Sequence, residues 1–323
     1  MDQIVTADIG GTHARFAIAT IDRGQIVGLG DPVTLKTAEF VSFERAWDAF
    51  EERSGTKLPD RLSLAVAAPV ANDEFSLTNS HWRLSRAQIV SQLQLSSLVL
   101  INDFAAVAHA VSAIDHAGLL HITGPDEPLP TTGVITIVGP GTGLGAALLV
   151  RGGGQDYHVI ETEGGHIDFA PLDSLEDSIV AELRKKFGRV SVERLVSGPG
   201  LVNIYEVLGK LEGRSDLTRD EATLWSMALD QTDQLAAIAL DRFCMCMGAV
   251  AGDLALAHGA SAVVIGGGVG RRLSHRLGSS GFPNRFAAKG RFERRLAATP
   301  VKLITSAEPG LLGAAVAFAR EFP

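Results

Sequence analysis

Ile4-Val5-Thr6-Ala7-Asp8-Ile9-Gly10-Gly11-Thr12-His13-Ala14-Arg15-Phe16-Ala17-Ile18 reads as a strand, a glycine turn and a second strand. Val5 and Ala7 alternate with Thr6 and Asp8, and Phe16 and Ile18 resume the apolar pattern after the turn. Two adjacent glycines let backbone N–H groups converge on one point, because no Cβ blocks an approaching anion. Thr12 adds a hydroxyl beside Gly10 and Gly11. Asp8, at the end of the strand that enters the turn, suits Mg²⁺, which is commonly held by one or two carboxylates, waters and substrate phosphates. The stretch therefore reads either as a nucleotide-phosphate hairpin or as an ordinary hairpin with a surface Asp.

Further along, Gly133-Val134-Ile135-Thr136-Ile137-Val138 starts the same pattern again. Gly139-Pro140-Gly141-Thr142-Gly143-Leu144-Gly145 follows, and then the apolar run Ala146 to Val150. A second strand, glycine turn and strand points to an internal duplication. Two half-sites are then expected across a cleft, each offering N–H groups and a Thr hydroxyl to a phosphate chain. The chain lacks G-x-x-x-x-G-K-[ST], so it is no P-loop enzyme. The second glycine run has the wrong spacing for a dinucleotide fingerprint and leads into a strand-like segment, which disfavours a dehydrogenase.

The chain has 323 residues, 46% hydrophobic and 20% charged, enough for a large core and for two domains. A net charge of −8 without a long Lys/Arg run argues against a nucleic-acid partner. An anionic ligand must then be gathered by backbone dipoles and metal. The two cysteines, Cys244 and Cys246, exclude a disulfide framework and fit a reducing cytosol. They lie in an apolar, helical run and read as buried core thiols. No leader pattern is visible, and no apolar run is expected to reach the roughly 20 residues of a membrane span. The expectation is a cytoplasmic protein with no membrane partner.

The remaining elements alternate between strand and helix, which places the chain in the α/β class. Arg23-Gly24 closes the first hairpin, and Ile26 to Leu29 adds a strand. Phe40 to Arg53 has helical spacing and ends near Gly55. Leu62 to Ala67 is a buried strand broken by Pro69. Ser85 caps a helix through Leu93, and Leu98 to Ile101 is a strand followed by a helix from Phe104 to Val111. Helical segments dominate from Leu175 to Gly188 and from Glu221 to His258. Ala262 to Ile265 and Val301 to Ile304 are late strands, and Pro309 opens a C-terminal helix expected to return to the first lobe.

Several polar groups interrupt this framework. Asn102-Asp103 ends a buried strand just before a helix, the edge at which α/β folds bind ligands. Asp103 can accept a hydroxyl proton and Asn102 can hold a neighbouring oxygen, although both residue types also cap helices. Glu161-Thr162-Glu163-Gly164-Gly165-His166 offers Glu163 and His166 to the hydroxyls of a polyol; no cysteine group completes a zinc tetrahedron there. Glu193 is a third such group, or else a solvated charge paired with Arg194. Gly266-Gly267-Gly268-Val269 after a strand is either a tight turn or a flat surface that admits an adenine ring.

In combination these stretches resemble the bacterial glucokinases of the non-zinc group, within the sugar kinase, actin and heat-shock ATPase superfamily. The resemblance rests on Asp8 to Arg15, Leu77-Thr78-Asn79-Ser80-His81-Trp82, Ile101-Asn102-Asp103-Phe104, Gly139 to Gly145, Glu163-Gly164-Gly165-His166, Glu193 to Leu201 and Pro309-Gly310-Leu311-Leu312-Gly313, in family order along nearly the whole chain. It implies a two-lobed actin-like ATPase (ribonuclease H-like) fold with a duplicated core and a cleft between lobes. Residues 1–113 plus 304–323 would form a small domain and 114–303 a large one. It also implies ATP-dependent phosphorylation of glucose at its 6-hydroxyl, as entry to glycolysis. Asp103 would be the base; Asn102, Asp103, Glu163, His166 and Glu193 would bind sugar. Asp8, Gly10, Gly11, Thr12, Gly141, Thr142 and Gly143 would bind phosphate, with Mg²⁺ on Asp8 through water and Gly266 and Gly267 beside the nucleotide. The related repressor/kinase family carries a cysteine-rich zinc motif that this chain lacks, so zinc is not expected. A homodimer is implied. The alternatives are a kinase for another hexose and a non-catalytic sugar sensor of the same fold.

Overall fold

Strand β1 (Asp2–Ile9) pairs antiparallel with β2 (His13–Asp22), from Asp2 opposite Ile21 to Ile9 opposite Ala14. The structure is a computed structural model describing residues 1–68, 70, 73–77, 81–154 and 156–323. It divides into two compact units, Met1–Ile114 with Ser306–Pro323, and Asp115–Thr305.

In the first unit, Arg23 and Gly24 both have positive φ (50° and 71°), the geometry a two-residue hairpin turn requires, and lead into β3 (Gln25–Leu29). Strand β4 (Val33–Lys36) pairs with β2 and was not anticipated from sequence. Helix α1 (Phe43–Ser54) starts three residues later than the spacing suggests, because the Ser42 side chain accepts the Arg45 N–H and fixes the first turn. It buries Phe43, Trp47 and Phe50 and ends on Gly55 in the left-handed conformation. Next come β5 (Arg61–Val66), the short pair β6 (Glu74–Ser76) and β7 (Arg83–Ser85), α2 (Arg86–Gln92) capped by Ser85, β8 (Ser97–Asn102) and α3 (Asp103–Ala113). Pro69 and Thr78-Asn79-Ser80 lie outside the described residues. The sheet order is β3-β2-β1-β5-β8, with β5 parallel to both β1 and β8.

The second unit repeats this arrangement. Strands β9 (Leu119–Thr123), β10 (Thr132–Pro140), β11 (Leu144–Gly153) and β12 (Asp156–Thr162) precede helices α4 (Ser174–Phe187), α5 (Gly198–Leu211), α6 (Glu221–Leu229) and α7 (Gln234–Ala257). Then follow β13 (Ala262–Ile265), α8 (Gly267–Arg272), α9 (Phe282–Ala287), α10 (Glu293–Ala297) and β14 (Val301–Ile304). The order β12-β11-β10-β13-β14 has the same sequence of two antiparallel and two parallel pairings as β3-β2-β1-β5-β8, with β9 added at its edge. The duplication seen in the glycine turns therefore extends to the whole sheet.

Helix α7 is long and apolar enough to cross a membrane, contrary to the expectation that no segment would be. Its most apolar window is 72% buried inside the structure, and it forms the centre of the second unit's core. Cys244 and Cys246 lie there with no exposure, and burial pushes the Cys244 thiol up to about 12. Beside them Glu176 is fully buried, accepting from Arg285 at 2.6 Å, from Arg242 at 3.0 Å and from the Leu172 N–H at 2.8 Å. A carboxylate withdrawn from water is tolerable only with such partners, and this group ties α4 to α7 and α9.

The last helix, α11 (Pro309–Glu321), belongs to the first unit and packs on α3 and β1. A methyl group on Gly313 would lie 1.6 Å from the Ala106 carbonyl oxygen, so only glycine permits this helix crossing. The Thr6 and Ser63 hydroxyls, both buried, donate to the Leu311 and Ala314 carbonyls at 2.7 and 2.6 Å.

Candidate active site

The first glycine turn is held from outside itself. Thr37 Oγ1 donates to the Gly11 carbonyl at 2.7 Å, and the Thr37 N–H donates to the Thr12 carbonyl at 3.1 Å. Gly10 donates to His13 at 2.9 Å, and the Thr12 side chain remains exposed at the tip. Thr37 is 2% exposed; sequence reading missed it because nothing in its neighbourhood marks it as a latch.

Asp8 ends β1 with its side chain 21% exposed. Arg15 Nη1 stands 3.6 Å from its Oδ2, while Arg15 Nε lies 3.2 Å from Glu308. Burial raises the Asp8 carboxyl to about 6; Arg15 opposes the shift and Glu308 adds to it. Two carboxylates thus share one guanidinium, a site with room for more positive charge. Among the described residues no group of three His, Cys, Asp or Glu could hold a metal ion alone. A single hard carboxylate beside a phosphate-binding turn still fits Mg²⁺, which keeps most of its waters. Gly310 presses on the same group: a methyl there would lie 2.6 Å from Asp8 Oδ2.

Asn102 closes β8 and caps α3. Its Oδ1 accepts the N–H groups of Phe104 at 2.8 Å and Ala105 at 3.3 Å, and its Nδ2 donates to Ala68 at 3.5 Å. Asp103 is the first helical residue, and its Oδ1 lies 2.9 Å from the Phe104 nitrogen. The capping function thus falls to Asn102.

In the second unit Gly141 donates to the Gly143 carbonyl at 2.8 Å, and its own carbonyl accepts from Gly198 at the start of α5 at 2.7 Å. Thr142 is exposed at the tip. Among the described residues no ion pair joins Glu193 to Arg194, whose guanidinium lies 4.2 Å over the Phe187 ring. Instead Glu193 Oε2 accepts the Leu144 N–H at 2.9 Å and covers Gly143, where a methyl would meet that oxygen at 2.4 Å. Glu163 and His166 face each other at 3.7 Å and are 73% and 57% exposed. Their segment joins that of Glu193 through the Val192 N–H and the Ile167 carbonyl, 2.9 Å apart.

A depression of about 600 Å³ is lined by Gly141, Thr142, Glu221, Gly268, Val269, Arg271 and Arg272. Gly266 and Gly267, the residues singled out in the sequence, form the strand-to-helix turn behind it. A methyl on Gly267 would meet Pro140 at 2.5 Å, whereas Gly268 opens onto free space. Gly268 and Val269 of the same run line the depression. Glu221 and Arg272 went unremarked in the sequence; the only signal was a basic pair, Arg271-Arg272, just after the glycine run.

Comparison with known proteins agrees with this geometry. The glucokinase family profile matches residues 5–321. A glucokinase of Zymomonas mobilis is 57% identical over 320 residues, 99% of this chain and 98% of that protein. The chain belongs to the glucokinase family. Another family member, a glucokinase of Caulobacter sp., is 39% identical over 97% of this chain and 94% of its own length. The crystal structure of a glucokinase from an Antarctic psychrotroph is 35% identical and superimposes with a TM-score of 0.84, covering 99% of each chain. A glucokinase from Balamuthia mandrillaris in complex with glucose, 21% identical, shares the fold with a TM-score of 0.77 over 99% of this chain and 94% of that one. The fold is the actin-like ATPase fold of the glucokinases, with one copy of the duplicated core in each unit.

Proposed function

We propose that this glucokinase-family enzyme transfers the γ-phosphoryl group of ATP to the 6-hydroxyl of D-glucose, giving glucose 6-phosphate and ADP, with Asp103 as general base. One observation carries the assignment of the base. Asp103 stands at the carboxyl end of a parallel strand while Asn102 supplies the helix cap. A carboxylate at that edge stands where α/β folds meet their ligands and can accept a hydroxyl proton.

The two units are taken as the small and large domains. Asp103 accepts the 6-hydroxyl proton as that oxygen attacks phosphorus, and the P–O bond to ADP breaks. Asn102, Glu163, His166 and Glu193 orient the sugar through its other hydroxyls. The turns Gly10-Gly11-Thr12 and Gly141-Thr142-Gly143 cradle phosphates through the N–H groups of Gly11, Thr12, Thr142 and Gly143, while those of Gly10 and Gly141 close the turns onto His13 and Gly143. Asp8 would hold Mg²⁺ through water, and the ion would neutralise phosphate charge. Catalysis is then mainly positioning and charge stabilisation. The sequence lacks the cysteine-rich zinc motif of the related repressor/kinase family, which supports a zinc-free enzyme. The family resemblance supports a cytoplasmic homodimer acting at the entry to glycolysis.

A coupled assay of ADP release over a panel of hexoses tests the reading. Glucose should give the highest kcat/KM, EDTA should stop turnover, and Mg²⁺ alone should restore it. ADP release with none of the sugars would overturn it.

A further inference from the structure

Arg272 sits where two features of the second unit meet. It lines the depression beside Gly141, Thr142 and Gly268, and its guanidinium carbon lies 5.1 Å from the centroid of the Trp225 ring. Trp225 is 1% exposed and is itself fixed edge-on against Phe243 at 5.5 Å and 81°. A guanidinium resting on an immobile indole keeps its plane, and a planar cation presents a second face for stacking.

Gly141 and Thr142 bring turn backbone and a hydroxyl to the lining of the depression, and Glu221, whose carboxylate lies against Gly198 beside Gly141, brings a negative charge to the same part of it. Gly141 and Gly268 carry no side chain and have open space where a Cβ would stand, so a flat ring can approach the backbone. Arg272 therefore lines the same depression as a floor suited to a ring.

We infer that Arg272, its planar guanidinium set against Trp225, is the stacking platform for the purine base of the nucleotide and sets the enzyme's affinity for it. This deepens the proposed kinase reading and rests on it. Arg272 is a binding residue that discriminates nucleosides from bare phosphate chains; it takes no part in the phosphoryl transfer.

The test measures binding of adenosine, ADP and inorganic tripolyphosphate by calorimetry to the wild type and to Arg272→Ala and Arg272→Lys. Adenosine and ADP should weaken by about tenfold or more in both variants, as loss of a base-stacking partner does, while tripolyphosphate binds as before. Lysine keeps the charge but not the plane, so it should fail to rescue. Melting temperature and the tripolyphosphate constant report whether each variant is folded. The inference is overturned if adenosine affinity is unchanged, if lysine restores it, if tripolyphosphate weakens in parallel, or if the wild type binds tripolyphosphate but not adenosine. Failure of the kinase reading looks different: the wild type would bind adenosine and ADP through Arg272 yet release no ADP from ATP with any hexose.

Discussion

Glu193 Oε2 accepts the backbone N–H of Leu144 at 2.9 Å, so a carboxylate proposed for the sugar also braces the second glycine turn. The two functions separate by substitution. Glu193→Gln keeps an oxygen for Leu144, and its KM for ATP should stay near the wild-type value. Glu193→Ala leaves that N–H unpaired, so KM should rise for both substrates, by about tenfold for glucose, and the margin over other hexoses should narrow. Steady-state kinetics with both substrates varied decides it; an unchanged glucose KM in the alanine variant would confine Glu193 to bracing the turn.

Asp103→Asn separates a base from a structural residue. Asn102 supplies the cap of α3 and remains in place, so the melting temperature should hold. If Asp103 takes the proton, kcat should fall by roughly 10²–10⁴-fold while calorimetric glucose affinity changes far less. Near-full kcat in a stable variant would remove Asp103 from the chemistry.

Gly310→Ala addresses Asp8 without altering it. The added methyl would stand 2.6 Å from Asp8 Oδ2 and must push the carboxylate away from its place beside Arg15, because the helix backbone is packed on α3 and β1. The Mg²⁺ concentration for half-maximal activity should rise several-fold, with glucose affinity unchanged. An unaltered Mg²⁺ dependence would argue that Asp8 does not hold the ion.

His109 gives the first unit a pH-dependent stability. It lies on α3, and burial, reinforced by Arg320 of α11, pushes its imidazole down to about 4. The unfolded chain therefore takes up this proton first as pH falls. The stabilisation is complete above about pH 6.5, declines as pH drops toward 4, and amounts to about 3 kcal/mol over the interval. Urea unfolding of the wild type and His109→Gln between pH 7.5 and 4.5 should show a shallower loss in the variant, by up to one proton in slope. Parallel curves would show that His109 is solvated in the folded protein.

The local elements of this protein could be read from its sequence because they answer to nearest-neighbour physics. Alternating apolar residues gave β1 and β2, a short continuous apolar run gave β13, Ser85 announced α2, and the paired glycine turns revealed the duplication. What escaped was short or disguised: α5 opens with Gly198-Pro199-Gly200, which reads as a loop until the Ser197 side chain is seen to accept the Gly200 N–H at 3.1 Å. Edge strands β4, β9 and β12 lack a long periodic run, and their pairing partners exist only in the sheet. The sequence determined the family and singled out the residues proposed to carry its chemistry. Only the tertiary structure decided which neighbours those residues meet: that Asn102 caps α3, that Glu193 turns to Leu144 and away from Arg194, that Gly268 opens where Gly267 is packed, and that Arg272 lies on Trp225. Side chains far apart along the chain, such as those of Glu193 and Arg272, acquire their partners through sheet register and helix packing, which no local pattern encodes.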